Sequence, residues 1–412
     1  MIILEKLQKI LLTLSLVSVM LSIQNSSITI GLFLIVSLVI ALKKRFKSTK
    51  TSIQFSFFFA GFFVLFAIGL LYTEEIAYGQ KWLERNAVWA LIPLLIPLSL
   101  KISYKELFRV LMGFSIVINA IGLFLLGTAI LNYLETHNIL VFFYDKFTSS
   151  IEFHPVYLSF YVLFSLLVLV EGLRKKYIKL HPLIILSLVL FNVVLIVLLS
   201  SKTMLASLFL VLIIFMIMNY KKQRKIVISA FLVILVSIVL ITQFKETKNR
   251  INDSRLSSWE LLDKETFNYN DPFTGITLRL ITWKFVMKKF ISEENIFVGL
   301  GTGDAENFIN QVYKERNMDA GGYLNYNMHN QYLEYFLKFG LVGLIYFLGI
   351  LFLSFRMAIK NKDFLYGTFL LIFSIFSLTE STLEVQKGIL FFMLVNTVFF
   401  FYYLSHKKRL NE

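Results

Sequence analysis

The pair His329-Asn330 closes a polar stretch, roughly Phe244 to Asn330, and stands at the mouth of a long apolar run. An imidazole there can take a proton from a hydroxyl held at a membrane surface, because histidine titrates near neutrality. The start of a helix carries partial positive charge, which disfavours imidazolium and keeps the ring in its proton-accepting form. The plainer reading is a histidine that caps the helix or anchors it at headgroup level.

Other residues with chemical potential collect around the same stretch. Arg279 and Trp283 precede the glycine turn Gly299-Leu300-Gly301-Thr302-Gly303, and Ser201-Lys202-Thr203 opens an earlier apolar run. That turn lacks the spacing of a dinucleotide fingerprint or a P-loop. It reads first as a structural turn and second as a set of backbone N–H groups able to cradle a phosphate. His154-Pro155 begins another run, with proline at a tolerated first-turn position. It reads as a helix start, with an accessory contact to acceptor or phosphate as the alternative. Arg250 and Arg255 read as solvated loop charges or added phosphate contacts, and Arg85 reads as an interfacial anchor, with a site role as the alternative. Glu380 and Glu384, near Lys387, read as a hydrated loop or an acceptor contact. The acids Glu293-Glu294 have no histidine at ligand spacing, so no metal is expected. The chain has no cysteine, which excludes disulfides, thiolate metal sites and thiol nucleophiles.

The elements that must position these residues are membrane spans. Of 412 residues, 57% are hydrophobic and 16% aromatic, and mean hydropathy is +0.72. Runs long enough to cross a bilayer, about 17–25 residues, occur near 5–23, 27–42, 53–72, 86–100, 107–131, 155–172, 181–199, 203–219, 225–242, 331–355, 363–379 and 387–404. The expected fold is all-α, about twelve transmembrane helices in a single membrane domain, with one large loop over 243–330. All-round apolarity without period-two alternation excludes a barrel. Within the loop, 278–291 repeats apolar residues at helical spacing and predicts an amphipathic helix lying on the membrane face. A second helix is expected over Asp304 to Arg316.

Lys and Arg separate by alternate loops. One set holds Lys43-Lys44-Arg45, Arg174-Lys175-Lys176, Lys221-Lys222 with Arg224-Lys225, Arg356 with Lys360, and Lys407-Lys408-Arg409; the opposite short loops hold few. The positive-inside rule then puts both termini in the cytoplasm and the large loop outside. The formal charge of +15 is topological, and no nucleic-acid partner is expected.

His329-Asn330 followed by Gly340 and Gly343, Arg279 with Trp283 ahead of the glycine turn, and Ser201-Lys202-Thr203 together resemble the O-antigen ligase and Wzy-type polymerase (Wzy-C) superfamily of bacterial envelope glycosyltransferases. The resemblance covers nearly the whole chain. It implies transfer of a glycan from a polyprenyl-diphosphate carrier to an acceptor such as lipid A-core, on the outer face of the cytoplasmic membrane, with no cofactor, metal or nucleotide. His329 would be the general base. Arg279 looks like a loop arginine that holds the diphosphate, and Lys202 stands where the family commonly has arginine, offering a point charge without a fork. Asn330, His154 and Arg255 join the expected substrate contacts. The alternative within the same chemistry is a polymerase that joins repeat units. A transporter or flippase fits less well, because carriers place ionisable residues at a midplane site.

Overall fold

A computed structural model describes residues 1–218, 259–293 and 295–406. Among these residues every regular element is helical. The α-helices are α1 (Ile2–Ser18), α2 (Ile23–Lys43), α3 (Lys50–Gly69), α4 (Ile76–Asn86), α5 (Val88–Ser99), α6 (Tyr104–Thr136), α7 (Tyr144–Thr148), α8 (Pro155–Arg174), α9 (Pro182–Leu198), α10 (Lys202–Met218), α11 (Gly275–Glu293), α12 (Ala305–Glu315), α13 (Gln331–Lys360), α14 (Phe364–Thr379) and α15 (Gln386–His406).

Six of them, α2, α3, α6, α8, α13 and α15, are long and apolar enough to cross a membrane. The chain is an integral membrane protein. Five further expected spans appear as shorter helices. Those near 5–23, 181–199, 203–219 and 363–379 are α1, α9, α10 and α14, each of 16 or 17 residues. The fifth, near 86–100, is the 12-residue α5 with Pro93 and Pro97 inside it. That helix runs through both prolines, and a turn at Ala87 separates it from α4. The twelfth, 225–242, lies outside the described residues.

Side-chain caps set several helix starts, including Ser22, Thr49 and Asp363, and Ser103 with Glu106 forms a capping box at α6. Aromatic packing fills much of the interior, as where Phe373 stacks on Phe392 at 4.1 Å. Buried hydroxyls and amides join neighbouring helices: Ser115 to Ser165 (2.6 Å), Asn192 to Asn119 (2.8 Å), and Gln8 to both Ser37 and Ser99 (2.8 Å each). In an apolar surrounding such bonds favour one arrangement of helices over others.

The helices run alternately between two ends. Lys44 pairs with Glu5 at 3.0 Å at the end rich in Lys and Arg. At the opposite end Gln386 reaches Ser27 (2.8 Å), and Thr302 of the loop donates its hydroxyl to Phe66 O (2.7 Å). The loop residues 259–330 gather at this second end. There α11 and α12 build a core of their own. Ile281, Phe285, Val286 and Phe290 of α11 pack with Phe308, Ile309 and Val312 of α12 and with Leu337 of α13. The apolar stripe of 278–291 therefore faces protein, where the sequence suggested a lipid surface. The second expected helix is present as α12.

The loop is fastened to the bundle through a break in α13. Gly340 adopts φ 59° and ψ −157°, so the helix loses its usual pairing there. In an unbroken helix Leu341 N–H and Val342 N–H would bond to the carbonyls four residues back. Instead they donate to Ile296 O (2.8 Å) and Phe297 O (3.3 Å), while Leu300 N–H and Gly301 N–H donate to the vacated carbonyls of Leu337 (3.0 Å) and Lys338 (2.9 Å). A buried break of this kind is stable only when protein groups satisfy its backbone. The glycine turn is thus structural. The N–H groups of Leu300, Gly301, Thr302 and Gly303 all bond within the protein, which removes the phosphate-cradle alternative. Further along α13, Gly349 serves helix packing, with its would-be Cβ 3.7 Å from Phe58.

A Cβ at Gly340 would lie 2.4 Å from the Phe297 carbonyl, at a positive φ. Gly340→Ala should therefore cost about 3 kcal/mol or more and lower the thermal midpoint of the purified protein sharply. Gly127→Ala, with nothing within 4 Å of its added methyl, should be neutral. Equal midpoints for the two variants would contradict the account of the break.

Candidate functional site

The site forms where the approach to α13 meets the turn 380–385 between α14 and α15. Asn330 N–H donates to Ser381 Oγ (3.2 Å), and Leu383 N–H donates to Gln331 Oε1 (2.6 Å). Met328 is held from both sides: its N–H donates to Glu334 Oε1 (2.7 Å), and its carbonyl accepts from Trp283 Nε1 (2.6 Å). These bonds fix the backbone on either side of His329. His329 itself sits at φ 46°, a left-handed conformation uncommon outside glycine, with its N–H on Asn327 Oδ1 (2.9 Å). Trp283 lies one helical turn beyond Arg279 on α11, so one helix positions both the loop before the histidine and the arginine beside it.

At the centre is Glu380, which follows the last residue of α14. One carboxylate oxygen accepts from Arg279 Nη2 at 2.7 Å; the other lies 3.1 Å from His329 Nδ1. The Glu380 side chain is only 11% exposed, against 30% for His329. Burial pushes the Glu380 carboxyl up, but the hydrogen bond and charge of His329, with Arg279 and His154, more than reverse this. It is held below the ordinary glutamate range. An ionised carboxylate only accepts, so His329 Nδ1 must carry the hydrogen between them. In the neutral ring that leaves Nε2 as the proton acceptor.

The remaining expected residues fall around this centre in different ways. Arg279 also donates Nη1 to Gly275 O (3.2 Å), and its buried Nε has no partner among the described residues. Lys202 opens α10, and its neighbour Thr203 touches Thr379 at 3.0 Å, one residue from Glu380. His154 precedes α8, with its ring 6.1 Å from that of Tyr157, and it acts electrostatically on Glu380. The side-chain oxygen of Asn330 caps α13, accepting from Tyr332 N (3.0 Å) and Leu333 N (3.2 Å). Arg255 and Arg250 lie outside the described residues.

Two participants escaped the sequence reading. Glu380, read as a hydrated loop acid, is nearly buried and joins His329 to Arg279. Lys387, read as a loop lysine, rests its ammonium over Phe153 (4.4 Å) and Tyr157 (4.6 Å) and faces Glu380 electrostatically. An acid and a lysine confined to a short segment between two apolar runs were the available signal. The spans are also less free of charge than their hydropathy suggested, since Glu334 and Lys338 of α13 and Glu171 of α8 are all buried.

The arrangement places an oriented imidazole beside fixed cations at one end of a helical bundle. Residues 184–348 match the family model Wzy_C, described as O-antigen ligase. The chain thus carries a Wzy_C domain, as the sequence resemblance indicated, and the match takes in Lys202, Arg279, His329 and Asn330. It stops short of Glu380 and Lys387, and begins after His154. No curated protein matches the chain.

The depressed Glu380 carboxyl has a measurable consequence. A group whose native pKa lies below its unfolded value stabilises above the unfolded value, and that contribution is lost as pH falls through the native one. Wild type should therefore lose stability on acidification below the ordinary glutamate range. Glu380→Gln should be less stable at neutral pH by about 1–3 kcal/mol and lose less over that acidic window. Parallel midpoint-versus-pH curves for the two proteins would show that Glu380 holds no such charge.

Proposed function

We propose, taking the Wzy_C domain as the premise, that this protein is a membrane glycosyltransferase of the O-antigen ligase type. It moves a glycan from a polyprenyl-diphosphate carrier to a hydroxyl of an acceptor glycan such as lipid A-core, at the outer face of the cytoplasmic membrane. The observation that best supports this reading is the Glu380 carboxylate bound to both His329 and Arg279. It sets the imidazole tautomer and brings a guanidinium to the same locus.

In the proposed step an acceptor hydroxyl attacks the anomeric carbon of the donor sugar. His329 Nε2 removes the hydroxyl proton as the new C–O bond forms, and the bond from the anomeric carbon to the diphosphate oxygen breaks. The electron pair leaves with the diphosphate. Growing negative charge there is stabilised by Arg279, with Lys387 and the Lys202 end of α10 contributing cationic charge nearby. Attack opposite the leaving group inverts the anomeric centre. The sugar–diphosphate bond supplies the driving force, so ATP is not required. Arg279 would exchange part of its contact with Glu380 for the diphosphate, and its bidentate fork suits that exchange better than an ammonium would.

Placing loop and site outside rests on the Lys/Arg distribution, since the site lies at the end opposite Lys44 and Arg174. A polymerase that extends a chain on the same carrier would use the same groups and differs only in the acceptor.

Transfer assayed in proteoliposomes tests the reading. His329→Ala should lower turnover about 10²-fold or more while keeping expression and membrane insertion. Arg279→Lys should retain more activity than Arg279→Ala but less than wild type. Retained activity in His329→Ala would remove the imidazole from the reaction. With a single-repeat donor, transfer to core oligosaccharide alone fits a ligase, and a ladder of lengthening products would overturn that assignment in favour of a polymerase.

A further inference from the structure

A cavity of about 180 Å³ lies beside the His329 centre, at the other end of the turn 380–385. Its walls combine aromatic rings, Tyr78, Trp82 and Tyr326, with charged and amide groups that include Arg85, Glu306, Lys338 and Asn327. Lys338 is 3% exposed and paired with buried Glu384, and its ammonium stands 3.7 Å over the Trp82 ring. Arg85 donates to Glu384 O (2.9 Å) and lies 4.7 Å from the same ring. Tyr78 Oη donates to Glu306. The cavity floor is thus built from fixed, mutually bonded polar groups. Tyr326, 43% exposed, forms part of its wall.

The chemistry of the lining selects among ligands. A lipid tail would strand buried ions against hydrocarbon. A phosphate would meet three carboxylates, Glu306, Glu334 and Glu384, against two cations, Arg85 and Lys338. Among the described residues no group of His, Asp or Glu is placed to hold a metal. A pyranose fits both features: its hydroxyls donate to carboxylates and accept from cations and amides, and its C–H face packs on an aromatic ring.

The cavity adjoins the proposed base. The Tyr326 ring lies 6.1 Å from the imidazole, and Asn327, which lines the cavity, accepts from His329 N–H (2.9 Å). Arg279 contacts the opposite end of the turn, at Glu380. We infer that this cavity is a subsite for an uncharged hexopyranose, the terminal unit of the acceptor glycan, which it holds with a hydroxyl toward His329. The assignment to the acceptor rests on the glycosyl-transfer reading above; the presence of a pyranose site does not.

Two measurements on the purified full chain keep these apart. The first needs no donor. Uncharged methyl hexopyranosides and disaccharides are titrated while tryptophan fluorescence is followed, with Trp82 as reporter. At least one saccharide should give a saturable change that Trp82→Phe removes and Trp259→Phe retains, and Tyr326→Ala and Glu306→Gln should each weaken binding about tenfold. If no saccharide in the panel gives a saturable change dependent on Trp82, the subsite is refuted. The second is the transfer assay, in which Glu306→Gln and Tyr326→Ala should raise the acceptor KM about tenfold and leave kcat within threefold. An unchanged acceptor KM, with wild type active, would refute the acceptor role while sparing the transfer reading. An inactive wild type that still binds saccharide through Trp82 would refute the transfer reading and the acceptor assignment, and would support the pyranose site.

Discussion

A nearly buried carboxylate that holds an imidazole on one oxygen and a guanidinium on the other is the interaction on which this architecture turns. Glu380 lies 3.1 Å from His329 Nδ1 and 2.7 Å from Arg279 Nη2, and it comes from a third part of the chain. A carboxylate kept from water needs charged and hydrogen-bonding partners. Both arrive only when the loop helix α11 and the start of α13 are docked on the turn after α14.

That docking depends on backbone chemistry as well as on side chains. The break at Gly340 opens four hydrogen-bonding groups of α13, and the segment 296–301 closes them. The loop is therefore fixed to a helix of the bundle at a buried position, where an unsatisfied amide would be costly. Its second hydrophobic core then carries Arg279 and Trp283 to the site on one rigid helix. Positioning by a helix suits a centre where a displacement of about 1 Å can cost 10²-fold in rate.

Much of this was legible in the sequence, and the rest was hidden for physical reasons. Apolar runs and helical spacing located the helices, His329 stood out by its place at the mouth of a span, and Arg279 was picked out through the family resemblance. The same apolarity did not show the turn at Ala87 that separates α4 from α5. The stripe on α11 looked like a lipid-facing surface because periodicity reports that a face is covered without saying by what. Glu380 looked solvated because one sequence cannot reveal partners 51 and 101 residues away. The break at Gly340 was hidden because the need for positive φ leaves no mark beyond the glycine itself. The family match reaches His329 but not Glu380, so the carboxylate that orients the imidazole emerges from three-dimensional arrangement alone.

The tautomer of His329 tests the central claim most directly. In protein carrying ¹⁵N-labelled histidine, the His329 resonance is assigned by its loss in His329→Gln. Near neutral or mildly alkaline pH the neutral ring should show a protonated Nδ1 and a bare Nε2, and Glu380→Gln should disturb that preference. A neutral ring protonated at Nε2, unmoved by Glu380→Gln, would contradict the account.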